Sequence, residues 1–194
     1  MSADSPAMTP NVPTSMCSPR QHLIAEGVLS TKGLLNRYLS GFGDPTHVRQ
    51  TPDLPNHVAW QLGHLALTMH KVGGMLDGKP LPAGDFLTGD GTKGSRDVGK
   101  FDTEAVSFGS RPEERYDRFP TLPRCVEIYD QACERLAHSV RSVPDAKLDE
   151  LLPWGMGQQI PAGVLVQRMI FHNGFHCGQI ADLRRALGFR SIFA

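Results

Sequence analysis

Apolar residues return every three or four positions in four separate stretches of this 194-residue chain, the period of helices that turn one face inward. In the first, Leu23, Ile24, Val28, Leu34, Leu35, Tyr38 and Leu39 form the stripe. Ser18 is placed to cap it, Pro19 suits the first helical position, and the pattern stops at Gly41. The second stretch, about Asn56 to Leu76, is apolar on most sides, with Asp53 as the expected cap and Pro55 helping to begin it. Gly73 and Gly74 weaken its last turn. The third carries Leu122, Val126, Tyr129, Ala132, Leu136 and Val140 after a Thr121 cap and runs to about Val143. The fourth opens at Pro161 and continues through Ile180, Leu183 and Leu187 to Gly188, a residue suited to a helix C-terminus.

The segments between these stretches read as connections. Residues 43–55 hold three prolines, 144–160 hold Pro144, Pro153, Trp154 and two glycines, and 77–120 are rich in Gly, Asp, Ser and Lys with no sustained period. With no convincing strand pair, the expected fold is all-α: a four-helix bundle with a long crossover between helices two and three that helps cover one end. Residues 1–18, with prolines at 6, 10 and 13, have too few apolar groups to offset ordering and are expected to be a flexible tail. The bundle domain then spans 19–194.

Charge removes one class of partner. Twenty basic residues balance twenty acidic ones, so there is no basic excess with which to neutralise phosphates, and nucleic acid is not expected. Cysteines at 17, 125, 133 and 177 have neither CxxC spacing nor the density of a secreted disulfide scaffold, which points to reduced thiols and a cytoplasmic protein. No run reaches the ~20 apolar residues of a membrane span, so a soluble protein without a membrane partner is expected.

The candidate chemistry lies on the fourth stretch. His172 and His176 are four residues apart, hence about 40° apart on one helical face, where two imidazoles can share a metal ion. His64 is the histidine placed centrally on another helix's apolar sequence. Three histidines converging from two helices would hold zinc, nickel or iron and leave positions open to water or substrate. The alternative is three histidines satisfied by hydrogen bonds in the core. Gln179 could orient a ligand from behind; Trp60 and Gln61, one turn before His64, could line the pocket. His57 could reach the mouth of the site, although a solvated side chain in the first turn is the simpler expectation. His70 points elsewhere, and Cys177 reads as a small packing residue. Gly63, Gly174 and Gly178 suggest close helix approach near the site, and Arg184 and Arg185 a surface or dimer-contact feature. There is no ExxH pair and no HExxH, so any acid or base must come from the loops, with Asp44 and Asp53 as candidates, or from the metal-bound water.

Three motifs together, NHVAWQLGHLA on the second helix, FPTL opening the third and HNGFHCGQIADLRRALG on the fourth, resemble the DinB superfamily from about Pro19 to Phe189. The resemblance implies a metal-binding four-helix bundle with His64, His172 and His176 at the divalent-metal positions. Homodimers are frequent in that family. Characterised relatives include transferases and isomerases that use low-molecular-weight thiols such as mycothiol or bacillithiol, and some have been described as metal-dependent hydrolases. The implied function is a metal-dependent enzyme that activates a small thiol or water toward a small-molecule substrate. The other reading is a non-catalytic metal- or ligand-binding bundle of stress-response type.

Overall fold

Ser18 starts the first helix by a reciprocal pair of bonds: its hydroxyl accepts from Gln21 N at 3.2 Å, and Gln21 Oε1 accepts from Ser18 N at 2.9 Å. This capping box begins α1 (Pro19–Tyr38). The buried Gln21 amide also donates to the carbonyls of Val140 and Val143, both at 2.7 Å, so the cap is fastened to the end of another helix. The structure, a computed structural model, describes residues 17–87 and 99–193. Of the expected tail only Cys17 and Ser18 fall among them, and Ser18 is engaged as the cap.

The other helices are α2 (Val58–Asp77), α3 (Leu122–Ser142) and α4 (Ala162–Ala186). α2 is buried on nearly every side, as its apolar sequence requires. α1 and α4 each pack against a helix on either side, and α3 lies against both α1 and α2. Met69 meets Cys133 and Asp77 meets Ser139, so α2 and α3 run in the same direction. Gln61 faces His176 while Met69 faces Asn173, so α2 and α4 run oppositely. The core between them is filled by Leu62, Leu65, Tyr129, Ile128, Leu136, Leu165 and Ile180, all fully buried.

Several local expectations need correction. The cap of α2 is His57, whose Nδ1 accepts from Trp60 N at 3.1 Å; Asp53 lies in the Thr51–Leu54 turn, whose own backbone bonds close the chain before the helix begins. Thr121 stands at the N-cap of α3 but its side chain makes no capping bond; Asp44 supplies it instead, accepting from Leu122 N at 2.9 Å. Leu23 and Leu34, assigned to the buried stripe of α1, are 73% and 43% exposed, because α1 turns toward α3 and α4 the face that carries Ile24, Val28 and Leu35. The 144–160 segment holds an antiparallel hairpin, β3 (Leu151–Trp154) with β4 (Gln158–Pro161), after a short parallel pair, β1 (Phe86–Leu87) with β2 (Phe101–Asp102). Gly157 turns the hairpin at φ 74°. Arg184 is buried rather than a surface or dimer feature: it donates to Tyr38 O at 3.0 Å and Arg190 O at 2.8 Å and lies over the Phe42 and Phe189 rings. Arg185 is exposed and pairs with Asp182. Among the described residues, no helix is long and apolar enough to cross a membrane.

The three helical glycines separate by what surrounds them. A Cβ on Gly63 would lie 2.7 Å from the Phe101 ring and 2.8 Å from Val106, whereas one on Gly174 or Gly178 would meet nothing within 4 Å. Close approach therefore explains Gly63 alone, and what approaches is the 101–106 segment, not a helix. Gly63→Ala is expected to destabilise the fold by about 1–3 kcal/mol through overpacking. Gly174→Ala is expected to stabilise it by up to about 1 kcal/mol through helix propensity. Urea unfolding of the two variants beside the parent checks both signs.

Candidate metal centre

α2 brings His64 and α4 brings His172 and His176 to one place in the core, with one ligand nitrogen from each lying within 4.8 Å of the others. The ring centroids are 5.1 Å apart for His64 and His172, 5.3 Å for His64 and His176, and 4.7 Å for His172 and His176. His64 and His176 are buried; His172 is half-buried and marks the open side.

Second partners fix which nitrogen each ring offers. His64 Nδ1 lies 2.9 Å from the Val106 carbonyl, which can only accept, so Nδ1 carries the proton and Nε2 keeps its lone pair. Gln61 is fully buried, and its Nε2 donates to Asn56 O at 2.7 Å; that leaves its Oε1 facing His176 Nδ1 at 3.3 Å and turns the His176 Nε2 lone pair toward the cluster. His176 Nε2 is 3.1 Å from His172 Nε2. Two imidazole nitrogens bound at ordinary metal distances are about 3.3 Å apart in a tetrahedral site and about 2.9 Å at a right angle, so this spacing fits a shared ion. The donor set, three neutral imidazoles, suits zinc, nickel or iron.

Electrostatics keep the rings in the ligating form. Burial lowers the His64 pKa against the opposing effect of the Val106 carbonyl. Burial, with the neighbouring His64, takes His172 down to about 4; burial, then His172 and His64, takes His176 to about 3. Gln179 is half-buried on α4, and its buried Oε1 makes no hydrogen bond among the described residues.

Trp60 does more than fill space. Its ring is stacked on His64, 4.8 Å between centroids and 6° from parallel, and its indole N–H donates to Ser110 Oγ at 2.8 Å. Gln61 holds His176, as described. His57, expected in solvent, is fully buried: the bond from its Nδ1 to the start of α2 and a bond of 3.1 Å from Nε2 to Glu113 O turn the ring inward, against Phe119. It is joined to Trp60 through the Trp60 backbone N–H and is not one of the three clustered histidines. His70 points away, with Nδ1 accepting from Arg135 at 3.1 Å. Cys177 is a buried thiol whose pKa burial pushes up to about 11, in keeping with packing. Asp44, a candidate acid or base, is engaged in capping α3 and facing His47 at 3.1 Å. Val106 and Ser110 are the contributors that sequence reasoning missed. Val106 acts through a backbone carbonyl, which no side-chain pattern reports.

Burial lowers the His57 pKa from its ordinary 6.5 to about 3, so above pH 6.5 the ring is neutral in both states and its contribution to stability is complete. Below that, the unfolded chain takes a proton that the folded chain refuses, and stability is lost as pH falls from 6.5 toward 3. Asn is a good N-cap that does not titrate. His57→Asn is therefore expected to flatten the dependence of unfolding free energy on pH between 6.5 and 4, as read by denaturant titrations at several pH values.

No curated protein matches this chain, and no solved structure does. The family model of the DinB superfamily matches residues 30–180. That span contains all three clustered histidines, the whole of α2, α4 as far as Ile180 and the loop carbonyl that orients His64, and over it the chain belongs to the DinB superfamily.

Proposed function

We propose that this protein is a metal-dependent enzyme in which His64, His172 and His176 hold one divalent ion, zinc, nickel or iron, and activate a low-molecular-weight thiol or water toward a small-molecule substrate. The observation that carries the reading is the convergence of three imidazole nitrogens within 4.8 Å, with tautomers set by Val106 and Gln61 so that the lone pairs face inward. An ion bound there supplies Lewis acidity, which lowers the pKa of a thiol or water in a position the protein leaves free.

The chain's own residues divide the remaining work. Val106 O holds the His64 Nδ1 proton and so fixes that ring; Gln61 does the same for His176, and Trp60 keeps the His64 ring in its plane. The half-buried His172 leaves one side for substrate entry, beside Phe171 and Phe175, which are 76% and 54% exposed. Thiolate chemistry would give transfer to an electrophile, and water activation would give hydrolysis; both use the same imidazoles.

Two coarser features extend this proposal. We read the 77–120 segment as the crossover between helices two and three, because α2 and α3 run the same way. We also propose a homodimer joined through α1 and α4, supported by the exposed Leu23, Leu34 and Val164 on that adjacent pair. The four cysteines are free, which suits the reducing cytoplasm as its location.

Elemental analysis of protein made without a metal-binding tag is expected to find about one divalent ion per chain, lost in both His64→Ala and His172→Ala. Gln61→Ala is expected to weaken metal affinity by about 10–100-fold while leaving helix content unchanged, which separates orientation of the ligand from folding. A parent protein that stays metal-free after reconstitution with zinc, nickel and iron would sink the metal reading. A metal site closed to exogenous thiols and anions, seen as an unperturbed cobalt or nickel spectrum, would favour the non-catalytic binding module instead.

A further inference from the structure

The segment that clamps His64 on its inner side forms a cavity on its outer side. The cavity has a volume of about 570 Å³ and is walled by Glu104, Phe108, Ser110, Arg111, Arg118 and Phe119. That volume lies within the range of small-molecule sites. The floor is Phe119, buried and edge-on to the His57 ring, and the rim carries Phe108, which is 95% exposed. An aromatic ring held out in water beside a cavity offers apolar surface that a ligand body can cover.

The charges around the cavity are of both signs, and two of them stand apart from the rest. Nearby charges are paired: Arg115 with Asp117 at 2.6 Å and Arg118 with Glu113 at 2.7 Å. Arg111 and Glu104, by contrast, have no side-chain partner among the described residues, and both line the cavity. An unpaired guanidinium recognises a carboxylate through its planar donors, and an unpaired carboxylate recognises an ammonium group. From this combination we infer that the cavity binds a small zwitterion of the amino-acid type, with its carboxylate at Arg111, its ammonium at Glu104 and an apolar body against Phe108 and Phe119.

The position of the cavity links it to the metal centre. Ser110, in the cavity wall, accepts the Trp60 indole N–H, and the Trp60 ring lies flat on His64. Val106, in the same loop, holds His64 Nδ1. A ligand in the cavity thus rests on the loop that orients a metal-ligating histidine. The binding inference does not require the ion, because none of the residues it uses belongs to the cluster.

Matched probes test it. L-phenylalanine carries both charges on an apolar body, 3-phenylpropanoate carries only the carboxylate, and phenethylamine carries only the ammonium. Calorimetric titration of the full chain, as purified and after chelation, is expected to show millimolar or tighter binding of L-phenylalanine and about tenfold or greater weakening for each single-charge analogue. Arg111→Ala is expected to reduce L-phenylalanine binding to the level of phenethylamine, and Glu104→Gln to the level of 3-phenylpropanoate, with unchanged thermal melts because both side chains are exposed. Absence of binding, equal binding of all three probes, or binding indifferent to both substitutions overturns the inference. Metal content measured on the same samples keeps the two readings separate: loss of probe binding with the ion retained rejects only the cavity, and a parent that stays metal-free after reconstitution yet binds the probe rejects only the metal centre.

Discussion

The 2.9 Å hydrogen bond between His64 Nδ1 and the Val106 carbonyl is the contact on which the arrangement of this protein turns. A buried imidazole has two nitrogens, and leaving either unsatisfied is costly. With Nδ1 bound to the loop, Nε2 is directed at His172 and His176, and the loop is drawn down onto α2. The same descent presses Phe101 and Val106 onto Gly63, where a larger residue has no room. Site geometry and loop packing are therefore a single constraint seen from two sides.

The two helices contribute the clustered histidines in different ways. The His172 and His176 pair follows from helical spacing alone, since residues four apart share a face. His64 joins them only through tertiary packing, and its orientation depends on a loop that comes 42 residues later in the chain. Gln61 repeats this logic for His176 from the opposite helix, with a separation of 115 residues. Each imidazole that points inward is thus held by a partner outside its own helix, the exception being His172 at the open side.

What could be read from the sequence was what depends on local pattern. The four helices, the Ser18 cap and the three histidines are carried by periodicity, by a serine before a proline, and by residue type. What could not be read depends on what lies across the fold. His57 looks like a first-turn surface residue, yet its ring caps α2 and anchors Glu113 O, and neither role belongs to the usual capping set of Ser, Thr, Asp and Asn. The capping of α3 by Asp44 spans 78 positions. Leu23 and Leu34 fit the helical period as well as Leu35 does; only the placement of α3 and α4 decides which of them is covered. The hairpin at 151–161 was obscured by Pro153 and by the short length of its strands.

The shared direction of α2 and α3 also governs how the chain reaches this state. In a bundle whose successive helices alternate direction, neighbours in sequence pack as soon as each helix forms, and such proteins fold quickly. Here the contacts that define the interfaces join residues 64 apart between α2 and α3, 119 apart between α1 and α3, and 142 apart between α1 and α4. Loop-closure entropy must be met for each before packing returns anything. A mainly helical composition is in this case combined with the contact order of a far less local topology, and the kinetics of assembly follow the topology rather than the helix content.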